Sequence, residues 1–61
     1  MKPDQSTVWH EASSIPSFGA LCDCINEYLR CGWPLGGRPL QVMVAWKLMH
    51  PDEFAEGISD D

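Results

Sequence analysis

Between Ser17 and Gly32 the chain reads FGALCDCINEYLRC, and the spacing of its apolar residues leaves little choice of local structure. At about 100° per residue, Phe18, Leu21, Cys22, Ile25 and Leu29 fall into one stripe with Tyr28 at its edge. Gly19, Asp23, Asn26, Glu27 and Arg30 fall on the opposite side. Ser17 supplies a hydroxyl that can accept from the first free backbone amides of such a helix, and Gly32 is suited to the left-handed residue that ends one. The pattern predicts an amphipathic helix over 17–31, around which the rest of the chain must be arranged.

That helix holds all three cysteines, so its geometry decides what they can do. Cys22 is expected to face the core. Cys24 and Cys31, seven residues apart on one flank, are separated by about 10 Å along the axis. That is too far to share a metal ion whose bonds to sulfur are about 2.3 Å long, and too far for a disulfide. A Cys-x-Cys pair joined by His10 or His50 lacks the second matched pair of a structural zinc site. Asp23 and Glu27 disfavour a thiolate, which argues against a nucleophile. The expectation is therefore structural thiols, with no metal and no cofactor.

The remaining segments are shorter signals. Residues 1–14 are polar apart from Val8 and Trp9 and read as a loosely ordered arm. Residues 32–38, with three glycines and a proline, read as a loop. The run 40-LQVMVAWKLM-49 alternates like a half-buried strand and is also apolar on every side of a helix. Pro39 at a first helical position and a run of good helix formers favour a helix over 39–49. In 50-HPDEFAEG-57, Pro51 opens a third helix over 51–56, Asp52 and Glu53 complement its positive end, and Gly57 stops it before an acidic tail at 58–61. The fold expected is a single small all-α domain of three helices over 1–61. The alternative is an α+β arrangement with 40–49 as a strand paired to about 6–12.

At 61 residues the chain is one domain at most, with no room for an enclosed active site. Its 44% hydrophobic and 21% charged residues suit a folded chain rather than a disordered one. No apolar stretch follows Met1-Lys2-Pro3-Asp4, and no run approaches the roughly 18 residues of a membrane span, so a soluble, cytoplasmic protein without a membrane partner is expected. Enzymatic readings fail on inventory: no carboxylate pair is set in a cleft, His10, Glu11 and His50 have no nucleophile at a recognisable spacing, and Gly36-Gly37 is not followed by a phosphate loop.

Charge carries the functional reading. Nine acids oppose four bases, giving −5, and the last ten residues hold Asp52, Glu53, Glu56, Asp60 and Asp61 with no base. Lys2, Arg30, Arg38 and Lys47 are too few and too dispersed for phosphate binding, which argues against direct nucleic-acid contact. Conversely, Asp23 and Glu27 on one helix face, with Asp52, Glu53 and Glu56, form an array suited to a basic groove on a partner protein. Tyr28, Trp33, Arg38 and Trp46 are candidate anchors, with Trp46 best placed to fill the core, because aromatic and arginine side chains dominate interface energetics. In size, acidity and lack of catalytic motifs the chain resembles, as a class, the small proteins that phages and mobile elements encode to disable host machinery, anti-CRISPR proteins among them. That resemblance implies an inhibitor of a nucleic-acid-handling complex acting through a DNA-mimicking surface, as a monomer or homodimer. The alternatives are a structural or regulatory subunit that self-associates through 40–49, and a small helix-turn-helix-type regulator.

Overall fold

A computed structural model describes residues 5–59, which form four helices: α1 (Gln5–Ser13), α2 (Phe18–Arg30), α3 (Arg38–Met49) and α4 (Pro51–Ile58). The described residues contain no strand, so 40–49 is helical and the α+β alternative falls. Residues 1–4 of the expected arm and Asp60 and Asp61 of the tail lie outside the described residues.

Helix α2 starts and stops as its sequence requires. The Ser17 hydroxyl accepts from the Ala20 amide at 3.2 Å. At the other end Gly32 adopts φ +99°, which lets its own amide reach Leu29 O and the Trp33 amide reach Tyr28 O, both at 3.0 Å. These two bonds make a Schellman motif, and they hold Trp33 directly beside Tyr28. Pro51 separates α3 from α4: it has no amide to continue the ladder, and His50 before it leaves the helical region at φ −133°.

Helix α3 is the hub, packed against α1, α2 and α4. Its inner side gives Val42, Ala45 and Trp46 to a core completed by Val8, Ala12, Ile15 and Leu21. Trp46 is wholly buried, and its indole N–H donates to Ile15 O at 3.1 Å, so the largest core side chain leaves no unsatisfied donor. Phe18 extends the core toward α4, packing on Trp46 with centroids 6.3 Å apart and edge-on to Phe54 at 5.6 Å.

Four expectations are corrected. Residues 5–13 are a helix rather than a loose arm, because Val8 and Ala12, four residues apart, share its buried side against α3, with Ile15 just past its end completing that contact with the core. Cys22 faces solvent rather than the core, as does Leu29, while Leu21 is buried and Ile25 half-buried. The inner face of α2 lies further round, toward Cys24 and Tyr28, because α1 presents Glu11 on that side. Finally, Gly57 does not end the last helix, which runs to Ile58. The ring of Phe18 lies against Gly57, where a Cβ would come within 2.5 Å of it, so the glycine serves close packing rather than termination.

Candidate protein-binding surfaces

The first surface is built around a polar cluster that joins three helices. The Tyr28 hydroxyl donates to the Glu11 carboxylate, with oxygen separations of 2.6 and 2.7 Å. Arg38 donates through Nε and Nη2 to Glu11 Oε1 at 3.1 and 2.9 Å, and through Nε to the Tyr28 oxygen at 2.9 Å. Cys24 Sγ lies 3.6 Å from the same carboxylate. Partial burial alone would raise the Glu11 pKa, but the hydrogen bonds from Tyr28 and Arg38 outweigh it and hold the carboxyl below its usual range. Burial, then the Glu11 carboxylate, push the Cys24 thiol up, which keeps it protonated and unreactive. Tyr28 is raised by burial and by its bond to Glu11, and Arg38 is held more firmly charged by its bonds to Glu11 and Tyr28.

Beside this cluster is a notch lined by Glu11, Cys24, Glu27, Tyr28, Cys31 and Trp33. Trp33 stands edge-on to Tyr28, with centroids 5.7 Å apart and planes at 89°, and remains 46% exposed. The notch thus brings together two of the residues expected to bind a partner, Glu27 and Trp33. Arg38 is engaged inward by Glu11 and Tyr28 rather than presented at the surface. Asp23 is exposed on α2, and Asp52, Glu53 and Glu56 are exposed on α4, apart from the notch. Glu27 makes a loose, solvent-exposed pair with Arg30 at 3.7 Å, too weak to neutralise it. No cluster of three or more possible metal ligands occurs among the described residues.

Comparison with protein-family models, curated proteins and solved structures finds no match. Among the described residues no helix is long and apolar enough to cross a membrane.

The second surface was legible only in part. Helix α3 is apolar all round, but only its inner side is core. Leu40, Val44 and Leu48 point outward, 39%, 45% and 63% exposed, and Trp9 of α1, 41% exposed, lies beside Leu40 and Val44. Together with Val8, Gln41 and Ala45, the residues Trp9, Leu40 and Val44 line a groove of about 320 Å³. In the sequence Trp9 stands with Val8 as an apolar residue in a polar stretch. The helical spacing of Val8, Ala12 and Ile15 was the available signal that would have placed it on the outer side of α1. Glu11, the centre of the polar cluster, was missed for the same reason.

Proposed function

We propose that the chain is a non-enzymatic protein-binding module that engages a basic surface of a nucleic-acid-handling partner and blocks it stoichiometrically, as a DNA mimic would. The supporting observation is the setting of Trp33: a half-exposed indole, held in place by the Gly32 turn and the edge of Tyr28, next to the carboxylate of Glu27. An aromatic anchor beside an acid is the combination that gives an interface both affinity and charge selectivity. Asp23, Asp52, Glu53 and Glu56 extend the negative surface over α2 and α4. Each exposed ion pair contributes only about 0–1 kcal/mol, so the acids must act together and with the indole.

The test begins with affinity capture from host lysate to identify the partner, followed by calorimetry. Trp33→Ala, and separately the triple change Asp52→Asn, Glu53→Gln and Glu56→Gln, should each weaken binding at unchanged melting temperature. Binding of the native chain should fall steeply as salt rises. Equal affinity for all three proteins, insensitive to salt, would exclude this mode of action.

A further inference from the structure

We propose that the outward face of α3 joins two copies of this chain in an antiparallel dimer, with Leu48 of each copy seated in the groove that Trp9, Leu40 and Val44 form on the other. Helix α3 shows Leu40, Gln41, Val44, Lys47 and Leu48 to solvent, the three-and-four spacing with which one helix packs along another. Val44 lies midway, with a leucine four residues to each side. A two-fold axis beside Val44 therefore sets Leu48 of one copy level with Leu40 of the other, about 6 Å from the centre in each direction.

The two ends of this face differ in a way that makes it complementary to itself. At Leu40, α1 brings Val8 and Trp9 alongside and creates the groove of about 320 Å³, roomy enough for a leucine side chain. At the other end Leu48 projects, the most exposed large apolar side chain among the described residues. The hole runs along α3 from Leu40 to Ala45, and the knob, Leu48, stands beyond it on the same helix. A closed two-fold pair fills both holes with both knobs, because an isologous contact is made twice. A parallel pair would set knob against knob and leave both grooves open.

Charge points to a second copy as the occupant. Each chain carries −5, so two copies repel wherever their carboxylates meet. Asp23, Glu27, Asp52, Glu53 and Glu56 stand on α2 and α4, whereas Trp9, Leu40, Gln41, Val44, Lys47 and Leu48 include no acid. Among the described residues of this face the charged group is Lys47, which leans toward α4 with its ammonium 5.7 Å from the Phe54 ring centre. Among the described residues this face carries no carboxylate, so two like-charged chains approach there with less repulsion than at α2 or α4, and the notch at Trp33 is left free.

Sedimentation equilibrium from micromolar to near-millimolar chain concentration tests this. The native chain should approach twice its 6.8 kDa mass as concentration rises. Leu48→Glu and Leu40→Lys, both at exposed positions, should each keep the native helix content by circular dichroism and weaken dimerisation at least tenfold. Mixed in equal amounts, the two variants should recover a dimer, since the new carboxylate of one meets the new ammonium of the other while the remaining Leu40–Leu48 contact is unaltered. The triple change at Asp52, Glu53 and Glu56 should dimerise as the native chain does. A native chain that stays monomeric at every concentration overturns the proposal and assigns the face to a different protein. A dimer that survives Leu48→Glu, or a mixture that stays monomeric, overturns it as well.

Discussion

Helices α1 and α4 both pack on α3, but different chemistry holds them there. Helix α1 brings a carboxylate, Glu11, to a phenol and a guanidinium on two other helices, and all three groups titrate or carry charge. Helix α4 is held by Phe54 against Phe18 and by the bare backbone at Gly57, with the Lys47 ammonium over the outer ring. The polar attachment fixes orientation, because a bifurcated phenol bond and a two-nitrogen arginine contact tolerate little movement. The aromatic attachment contributes mainly buried area and depends on shape. One side of the molecule should therefore respond to pH and the other to volume.

Trp46 belongs to both sides, so removing it should erase the distinction. Its N–H donates to Ile15 O, just past the end of α1, and its ring packs on Phe18 and, at 4.6 Å, on His50 at the start of α4. Trp46→Ala leaves a large cavity at the hub and should cost about 3–5 kcal/mol. Against a total stability of about 5–15 kcal/mol, and nearer the low end for so small a domain, that is most of the fold. Urea unfolding should show a chain largely unfolded without denaturant. A variant with near-native stability would mean that α1 and α4 hold α3 independently of the tryptophan.

The next largest effect separates the two sides. Because the Glu11 carboxyl is held below its usual range in the folded chain, its contribution is present at neutral pH and lost as pH falls through the folded value. Tyr28, whose folded pKa is raised, contributes below the ordinary phenol range and loses that contribution as pH rises beyond it. Protection of the amides in 5–13, taken relative to their intrinsic exchange rates, should fall on acidification before that of the amides in 51–58 does, if α1 opens locally. Glu11→Ala leaves Arg38 and Tyr28 without their shared acceptor and should cost about 1–3 kcal/mol at pH 7, toward the lower end because the cluster is partly exposed. Glu11→Gln should cost less and flatten the acid limb of the stability profile. An unchanged acid limb in that variant would show that other carboxylates set it.

The same contrast explains what could be read from sequence. Helix α2 was legible because large apolar residues mark its stripe and Ser17 and Gly32 mark its ends, and α3 because Pro39 and its length favour a helix. Helix α1 was not, since its stripe contains an alanine and its strongest attachment is a glutamate, which looks like surface until Tyr28 and Arg38 are brought to it. Periodicity also placed Cys22 and Leu29 inward, because an isolated helix has no neighbour to set its roll. That roll comes from the Glu11 contacts of Cys24 and Tyr28, which span 13 and 17 residues. Glu27 and Trp33 were singled out separately, and the bonds around Gly32 that bring them together were visible only as a turn.

The smallest effect falls on the aromatic side, where two opposing contributions nearly balance. An alanine inside a helix is normally favoured over glycine by about 1 kcal/mol, so Gly57→Ala in an exposed eight-residue helix would ordinarily stabilise it. Here the new methyl group would lie 2.5 Å from the Phe18 ring, well inside contact distance. The ring cannot withdraw freely, because it also packs on Trp46 and Phe54. Overpacking of this kind costs about 1–3 kcal/mol, which exceeds the helix gain by a modest margin. The expected outcome is a net loss of about 1 kcal/mol, read as a melting temperature lower by several degrees for a domain of this size. No titrating group takes part, so the deficit should be the same at pH 4.5 and pH 7, in contrast to Glu11→Ala, whose deficit should shrink on acidification. A stabilised Gly57→Ala protein would mean that α4 can slide off Phe18 at little cost, and that the aromatic attachment is the looser of the two.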